Sequence, residues 1–205
     1  MKHTFDNFGR QTKRILINAP LLAVTGSFIV FLPFLSPPAF ATPPTTRIDI
    51  KAKQRSGSDM TQEQCLQLIN SVSLSKDLRG AKLDEIDISG KSLVAADLSE
   101  ASLKKTILKG TKLGRANLTK ANLEGAILYQ ADLNGAKLNN ASLKNANLIK
   151  ANLKNALLIG ADMNKAILLD ADFSGANLTG ATMEGAKTNG AVLKGAIMPD
   201  GLLHP

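Results

Sequence analysis

The chain has 205 residues and a formal net charge of +8, and its composition excludes several kinds of protein. It contains seven Phe, one Tyr and no Trp, so a core built on large aromatic side chains is excluded for most of its length. Two His and one Cys leave few of the side chains that usually act as general bases, nucleophiles or metal ligands. The interior must therefore be filled by small and aliphatic residues.

The first 41 residues have the pattern of a secretory leader. Residues 1–14 carry four basic side chains and one Asp, residues 15–35 carry no charge, and the segment ends in Ala39-Phe40-Ala41. A basic start, an apolar centre and a small-x-small site predict a signal peptide over residues 1–41, with cleavage after Ala41. The uncharged stretch also approaches the length of a membrane span, so an uncleaved membrane anchor is the alternative.

A linker and a short helix are predicted after the leader. Residues 42–58 are rich in Pro, Thr, Ser and basic residues, a composition typical of a flexible linker. Within residues 59–75, Thr61 and Gln64 have the spacing of a capping box, which marks the start of a helix. One face of that helix would be apolar: Cys65, Leu68, Ile69 and Val72. We expect a helix over about 61–71 that caps the N-terminal end of the region after it.

From Leu78 to Met198 an apolar residue recurs at every fifth position, which makes 25 consecutive units without an insertion. Thr188 is the one polar residue in the series, and Ala stands two positions earlier in 20 of the 25 units. On an α-helix this period would spread the apolar residues around the axis, and on a strand it would alternate their faces. The period is explained if the chain turns by about a quarter circle per unit, so that four units close a coil of 20 residues. Apolar residues, including Phe173, and Ala then both point inward.

The repeated Ala-(Asp/Asn)-Leu-x-x unit, as in Ala116-Asn117-Leu118, resembles the pentapeptide repeat family. The resemblance implies an all-β fold, a right-handed quadrilateral parallel β-helix of about six coils over residues 76–200, followed by a tail at 201–205. The leader and the ending Met198-Pro199-Asp200-Gly201 also resemble exported cyanobacterial members. That similarity implies a location in the periplasm or the thylakoid lumen.

The 20-residue period assigns outward residues to four faces, and the third face, built on residues 88, 108, 128, 148, 168 and 188, differs from the others. Six large apolar residues are predicted to lie together on it: Ile107, Ile127, Tyr129, Ile149, Ile167 and Leu169. An exposed apolar patch usually marks an interface, so this is the candidate protein-interaction face. The alternatives are aliphatic residues tolerated on a β surface and cover by residues 42–58.

No catalytic residue, metal site or cofactor is assigned. Asp84, Glu85 and Asp87 are the densest carboxylates, and such groups can do acid–base work. A rod with a solid core offers no cleft around them, and neither a phosphate-binding glycine loop nor a metal-ligand spacing is present. The chain is therefore expected not to be an enzyme.

Nucleic-acid binding is not expected either. Residues 42–205 hold 21 basic and 16 acidic side chains, a net charge of only about +5, and one Tyr offers no platform for stacking bases. The family that this chain resembles also contains acidic DNA mimics that bind gyrase. A regulatory inhibitor of a nucleic-acid enzyme is thus the alternative function, which the positive charge and the leader disfavour.

The leading expectation is an exported scaffold or protein-interaction module. It would act on a protein partner or on a second copy, through the third face or through the C-terminal end. At that end we expect Leu202 and Leu203 to fold over the last coil or to meet a second chain. Contact with a membrane is expected only if the leader is retained.

Overall fold

The structure is a computed structural model that describes residues 56–72 and 76–205. The predicted signal peptide at 1–41 and most of the predicted linker, residues 42–55, lie outside the described residues. Within the described ranges, no helix has the length and apolar character that a membrane span requires.

The repeat region forms a coil in which one residue in every five pairs with the residue 20 positions further along the chain. There are 21 such parallel bridges, from Asp77–Asp97 to Asn177–Ile197, and each is an isolated pair rather than part of a longer strand. A two-residue turn separates successive bridge positions, so every coil has four sides and four turns. The predicted coil of 20 residues is therefore present.

Backbone hydrogen bonds join each coil to its neighbours. The amide of Leu118 donates to the carbonyl of Lys137 in the following coil, at 2.7 Å. The amide of Lys120 donates in the same direction, to Asn139 at 2.9 Å, while the amide of Asn117 donates back to the preceding coil. Because buried backbone groups must be paired, this recurring ladder stabilises a coil built from isolated bridges.

Each turn ends on a residue with a left-handed backbone. At every fifth residue from 80 to 195, φ is positive, at 11 Gly and 13 other residues. A positive φ at this point, with a hydrogen bond such as that from the Ala121 amide to the Leu118 carbonyl (3.0 Å), is typical of a type II turn. The 13 non-Gly residues are therefore held in a strained conformation.

In units where Asp or Asn precedes the inward apolar residue, its side chain completes the hydrogen bonding of the turn. Oδ1 of Asn117 accepts from the amide of Thr119 at 3.3 Å, and Oδ1 of Asp132 accepts from the amide of Asn134 at 3.1 Å. These amides do not donate to the coil-to-coil ladder. The side chain thus pairs the backbone donor that the ladder leaves over, which explains the residue type at this position.

The core is a stack of inward apolar residues and Ala. In the apolar series that recurs every fifth residue, each side chain from Leu78 to Leu178 is at most 1% exposed, and Phe173 is fully buried among them. Thr106 and Thr111 replace Ala without leaving an unpaired hydroxyl, because they donate to backbone carbonyls at 2.6 and 3.0 Å. The size alternation of Leu and Ala fills the tube, and Phe173 is the one aromatic side chain in it among the described residues.

Helix α1, Gln62–Asn70, caps the N-terminal end and follows a single 3₁₀ turn at Gly57–Asp59. Thr61 is its N-cap and forms the capping box with Gln64. Cys65 and Ile69 of α1 are buried in the same cluster as the coil residues. Val72, predicted on the same face, is instead fully exposed because the helix ends two residues before it.

Side chains from the cap supply donors that a preceding coil would otherwise provide. Ser56 Oγ donates to the carbonyl of Arg79 at 2.9 Å, and Gln62 Nε2 donates to that of Asp84 at 3.2 Å. Gly57 packs so closely that a Cβ there would lie 2.4 Å from the backbone of Leu78. Residues 56 and 57 thus pack against the first coil, although they lie inside the stretch interpreted as a linker.

The C-terminal end is paired on one side. Leu203 forms an antiparallel bridge with Ile197, and the amide of His204 donates to the carbonyl of Ala196 at 2.7 Å. The side chains of Leu202 and Leu203 nevertheless remain 67% and 70% exposed. The backbone of the tail therefore pairs with one side of the last coil, at residues 195–198, whereas its leucines stay exposed.

Candidate protein-interaction face

The first column of outward residues on the third face is apolar with one interruption. Ile107 bridges to Ile127 in the next coil, so their side chains lie one above the other. Asn147 stands between Ile127 and Ile167. The Oδ1 of Asn147 accepts from the amide of Ile149 at 3.1 Å, which turns its oxygen toward its own chain.

The second column is continuous. Tyr129, Ile149 and Leu169 occupy equivalent positions in three successive coils. The register is fixed by the backbone, because the amide of Gln130 donates to the carbonyl of Ile149 and the amide of Lys150 donates to that of Leu169. The structure therefore brings the six predicted residues together across four coils of one face.

The patch is flat rather than protruding. Ile127 is 38% exposed, and the other five residues are half-buried. The ammonium of Lys109 lies 5.6 Å from the centroid of the Tyr129 ring, within range of a cation–π interaction. Because the side chains are held by stacked coils, the surface is preorganised and binding would cost little conformational entropy.

Lysines surround the patch. Lys105 and Lys165 lie at the turn before the third face, Lys150 and Asp170 at the turn after it, and Lys109 on the face itself. The turns on the two sides of the patch thus present six lysines, since Lys104 and Lys144 also lie at the turn before the face, against two carboxylates, Glu124 and Asp170. Lys105 pairs with Glu85 at 3.3 Å and Lys144 with Asp162 at 3.1 Å, whereas no ion pair involves Lys109, Lys150 or Lys165 within residues 56–72 and 76–205. The apolar surface consequently has a basic border, which sequence reasoning had missed.

The carboxylates considered for acid–base chemistry have structural partners. Oδ1 of Asp84 accepts from Ser102 Oγ at 2.6 Å and from the amide of Lys104 at 2.8 Å. Hydrogen bonds from the Ser89 side chain and backbone hold the pKa of the exposed Asp87 carboxyl below its ordinary value. Neither residue is positioned as a proton donor or acceptor in a cleft.

The second face has a shallow groove of about 440 Å³, which the sequence did not predict. Its lining is polar and carries both signs of charge: Lys144, Asn145, Asn164, Lys165, Glu184 and Gly185. Lys144, one of the two lysines that line the groove, forms an ion pair with Asp162 at 3.1 Å. In the part of the chain that the structure describes, no group of three His, Cys, Asp or Glu could hold a metal ion.

The family model for pentapeptide repeats matches the chain in overlapping stretches, at 77–115, 96–135, 116–155 and 126–164. The chain belongs to the pentapeptide repeat family. Its five-residue units and 20-residue coil agree with that membership. The comparison with curated proteins finds no match.

Solved structures similar to this pentapeptide repeat protein include a cyanobacterial one. Rfr23 from Cyanothece 51142 is 26% identical, with 55% of this chain and 88% of its own covered and a TM-score of 0.46. A pentapeptide repeat protein of the Arabidopsis thaliana thylakoid lumen is 34% identical, with 50% and 65% covered and a TM-score of 0.28. QnrB1, a plasmid-mediated fluoroquinolone resistance protein, is 22% identical, with 58% and 62% covered and a TM-score of 0.46.

Proposed function

We propose that this pentapeptide repeat protein is an exported, non-catalytic interaction module that binds a protein through its third face. The observation that carries the proposal is the stack of six large apolar side chains across four coils. Apolar surface of this kind is unfavourable in water unless a partner covers it. The coil itself is proposed to be a right-handed quadrilateral β-helix, in line with the family.

A catalytic role does not fit the filled interior of the coil. The inward side chains fill the coil, so a substrate would have to react on an open surface. Asp84 and Asp87, the carboxylates considered for acid–base chemistry, each accept hydrogen bonds at Oδ1 from neighbouring donors. A hydrolytic activity lost on Asp87→Asn would contradict this part of the proposal.

A DNA-mimicking inhibitor is disfavoured by charge. Such a protein needs a strongly acidic surface, whereas residues 42–205 carry 21 basic and 16 acidic side chains. The turns that border the candidate face themselves hold more lysines than carboxylates.

Export is proposed from the leader pattern, to the periplasm or the thylakoid lumen. The test is the intact mass of the protein recovered from the exported fraction. Cleavage after Ala41 would leave Thr42 as the first residue. Recovery from the cytoplasm with residues 1–41 intact would contradict export and would favour the inhibitor instead.

The interaction role is tested by Ile127→Glu. A carboxylate at the centre of the patch would have to be desolvated on binding, so capture of a partner or self-association should weaken at least tenfold. The coil should remain folded, because the Ile127 side chain is 38% exposed and lies outside the core. Quantitative pull-down and sedimentation velocity measure the two forms of binding.

Ile159→Glu is the matched control. Ile159 is 41% exposed, in the same kind of coil, but on the first face, opposite the third. It should leave capture and self-association unchanged. If both substitutions act equally, or neither acts, the third face has no specific role.

A further inference from the structure

The charges around the third face allow the partner to be described more closely. We infer that the third face binds a protein segment in which an apolar strip is flanked by Asp and Glu side chains. This inference rests on the proposed function of the face and adds the sign of the partner's charge.

The basic border stands on both sides of the patch. Lys165 occupies the turn before the face and Lys150 the turn after it, while Lys109 lies over Tyr129. Among the described residues none of these three lysines has an ion-pair partner. Glu124, at the turn before the face, and Asp170, at the turn after it, are the two opposing carboxylates in the turns that border the patch. A bound segment would therefore meet apolar contacts at its centre and positive charge at both edges, an arrangement that selects carboxylates.

The same charges argue against the chain's own linker as the occupant. Residues 42–55 carry four basic side chains and one Asp, a net charge of +3. Placed over the patch, they would bring like charges against Lys150 and Lys165. A second copy docked face to face would oppose identical lysine borders, which is unfavourable for the same reason.

A lipid surface fits the shape less well than a protein does. Peripheral membrane binding requires apolar side chains that enter the headgroup and acyl boundary. Here Ile127 is 38% exposed and its five neighbours are half-buried in a flat face. Such a surface can pack against a complementary protein surface without inserting into a bilayer.

The experiment uses a phage-displayed library of random peptides selected against the full chain and against Ile127→Glu. Peptides that depend on Ile127 should combine apolar residues with an excess of Asp and Glu over Lys and Arg. An excess of basic residues, or no charge preference, would overturn the inference. Absence of any Ile127-dependent peptide would overturn it together with the proposed function.

A charge reversal tests the preference for an acidic partner separately from the proposed binding function of the face. For the best acidic peptide, Lys150→Glu combined with Lys165→Glu should raise Kd about tenfold at low salt, and added salt should shrink the difference. Lys112→Glu with Lys137→Glu, on the fourth and first faces, is the control and should change little. If the peptide needs Ile127 but ignores the reversal at Lys150 and Lys165, the face binds proteins without selecting acidic ones and the inference fails. The inference would also be overturned if the chain co-sedimented with anionic phosphatidylserine vesicles and bound them more tightly than the acidic peptide.

Discussion

Lys76 is predicted to hold the helical cap on the first coil. It stands where most units have Ala and is 7% exposed. Its Nζ donates to the carbonyl of Ile69, near the end of α1, and to the carbonyl of Ser92 in the first coil at 2.9 Å. Burial, and secondarily repulsion from Lys91, lowers the pKa of the ammonium. One side chain thus joins the cap to the edge of the solenoid.

Replacing Lys76 by Met keeps the apolar stem and removes both hydrogen bonds. Bonds from a charged donor contribute about 1.5–3 kcal/mol each, and loss of the ammonium's desolvation cost offsets part of that sum. We therefore expect the free energy needed to open α1 to fall by about 2 kcal/mol.

Hydrogen exchange measured by mass spectrometry is the assay, with peptides covering residues 62–70 compared with peptides from the middle coils. Lys76→Met should speed exchange of α1 about thirtyfold, the equivalent of about 2 kcal/mol, and leave the middle coils unchanged. Lys91→Met is the control, because Lys91 also stands in an Ala position but is exposed. Equal exchange of α1 in the two variants would refute the assigned role of Lys76.

Three further predictions concern the stability of the coil. Ala95 has a left-handed φ of 55°, so Ala95→Gly should stabilise the fold by about 0.5 kcal/mol. Gly110 has open space around it but a φ of 62°, so Gly110→Ala should destabilise the fold by about 1 kcal/mol. Urea unfolding measures both changes. Burial raises the pKa of Asp172, but hydrogen bonds from Ser174 and the charge of Lys154 outweigh it and lower the pKa below the ordinary 3.8. The carboxylate therefore stabilises the fold above pH 3.8 and loses this effect as the pH falls through the folded value, so Asp172→Asn should flatten the acid side of the stability curve. Deleting residues 202–205 removes three backbone hydrogen bonds to the last coil and should cost about 2 kcal/mol, visible as a lower Tm.

The coil and its register were predictable because burial enforces them at every fifth residue. A residue such as Leu128 can lie inside only if the chain turns a quarter circle per unit, and that geometry places Ile127 and Tyr129 outside. The candidate patch follows from the same arithmetic. Its grouping across four coils was therefore predictable from the sequence.

Other features depend on hydrogen-bond geometry that no period encodes. The sequence marks position 117 as polar, but only the structure shows its oxygen pairing the amide of Thr119. The role of Lys76 was not predictable from the repeat, because its acceptors lie in α1 and on the fourth side of the first coil. The basic border was missed because Lys150 and Lys165 sit at turns, which belong to two faces at once.

Site-specific photocrosslinking tests the central claim most directly. A photoreactive phenylalanine analogue is placed at position 129 on the third face or at position 139 on the first face, and the exported fraction is irradiated. The interaction-module hypothesis predicts one dominant protein adduct from position 129, lost when Ile127 is Glu, and none from position 139. Equal adducts from both positions, or none from position 129, would contradict it.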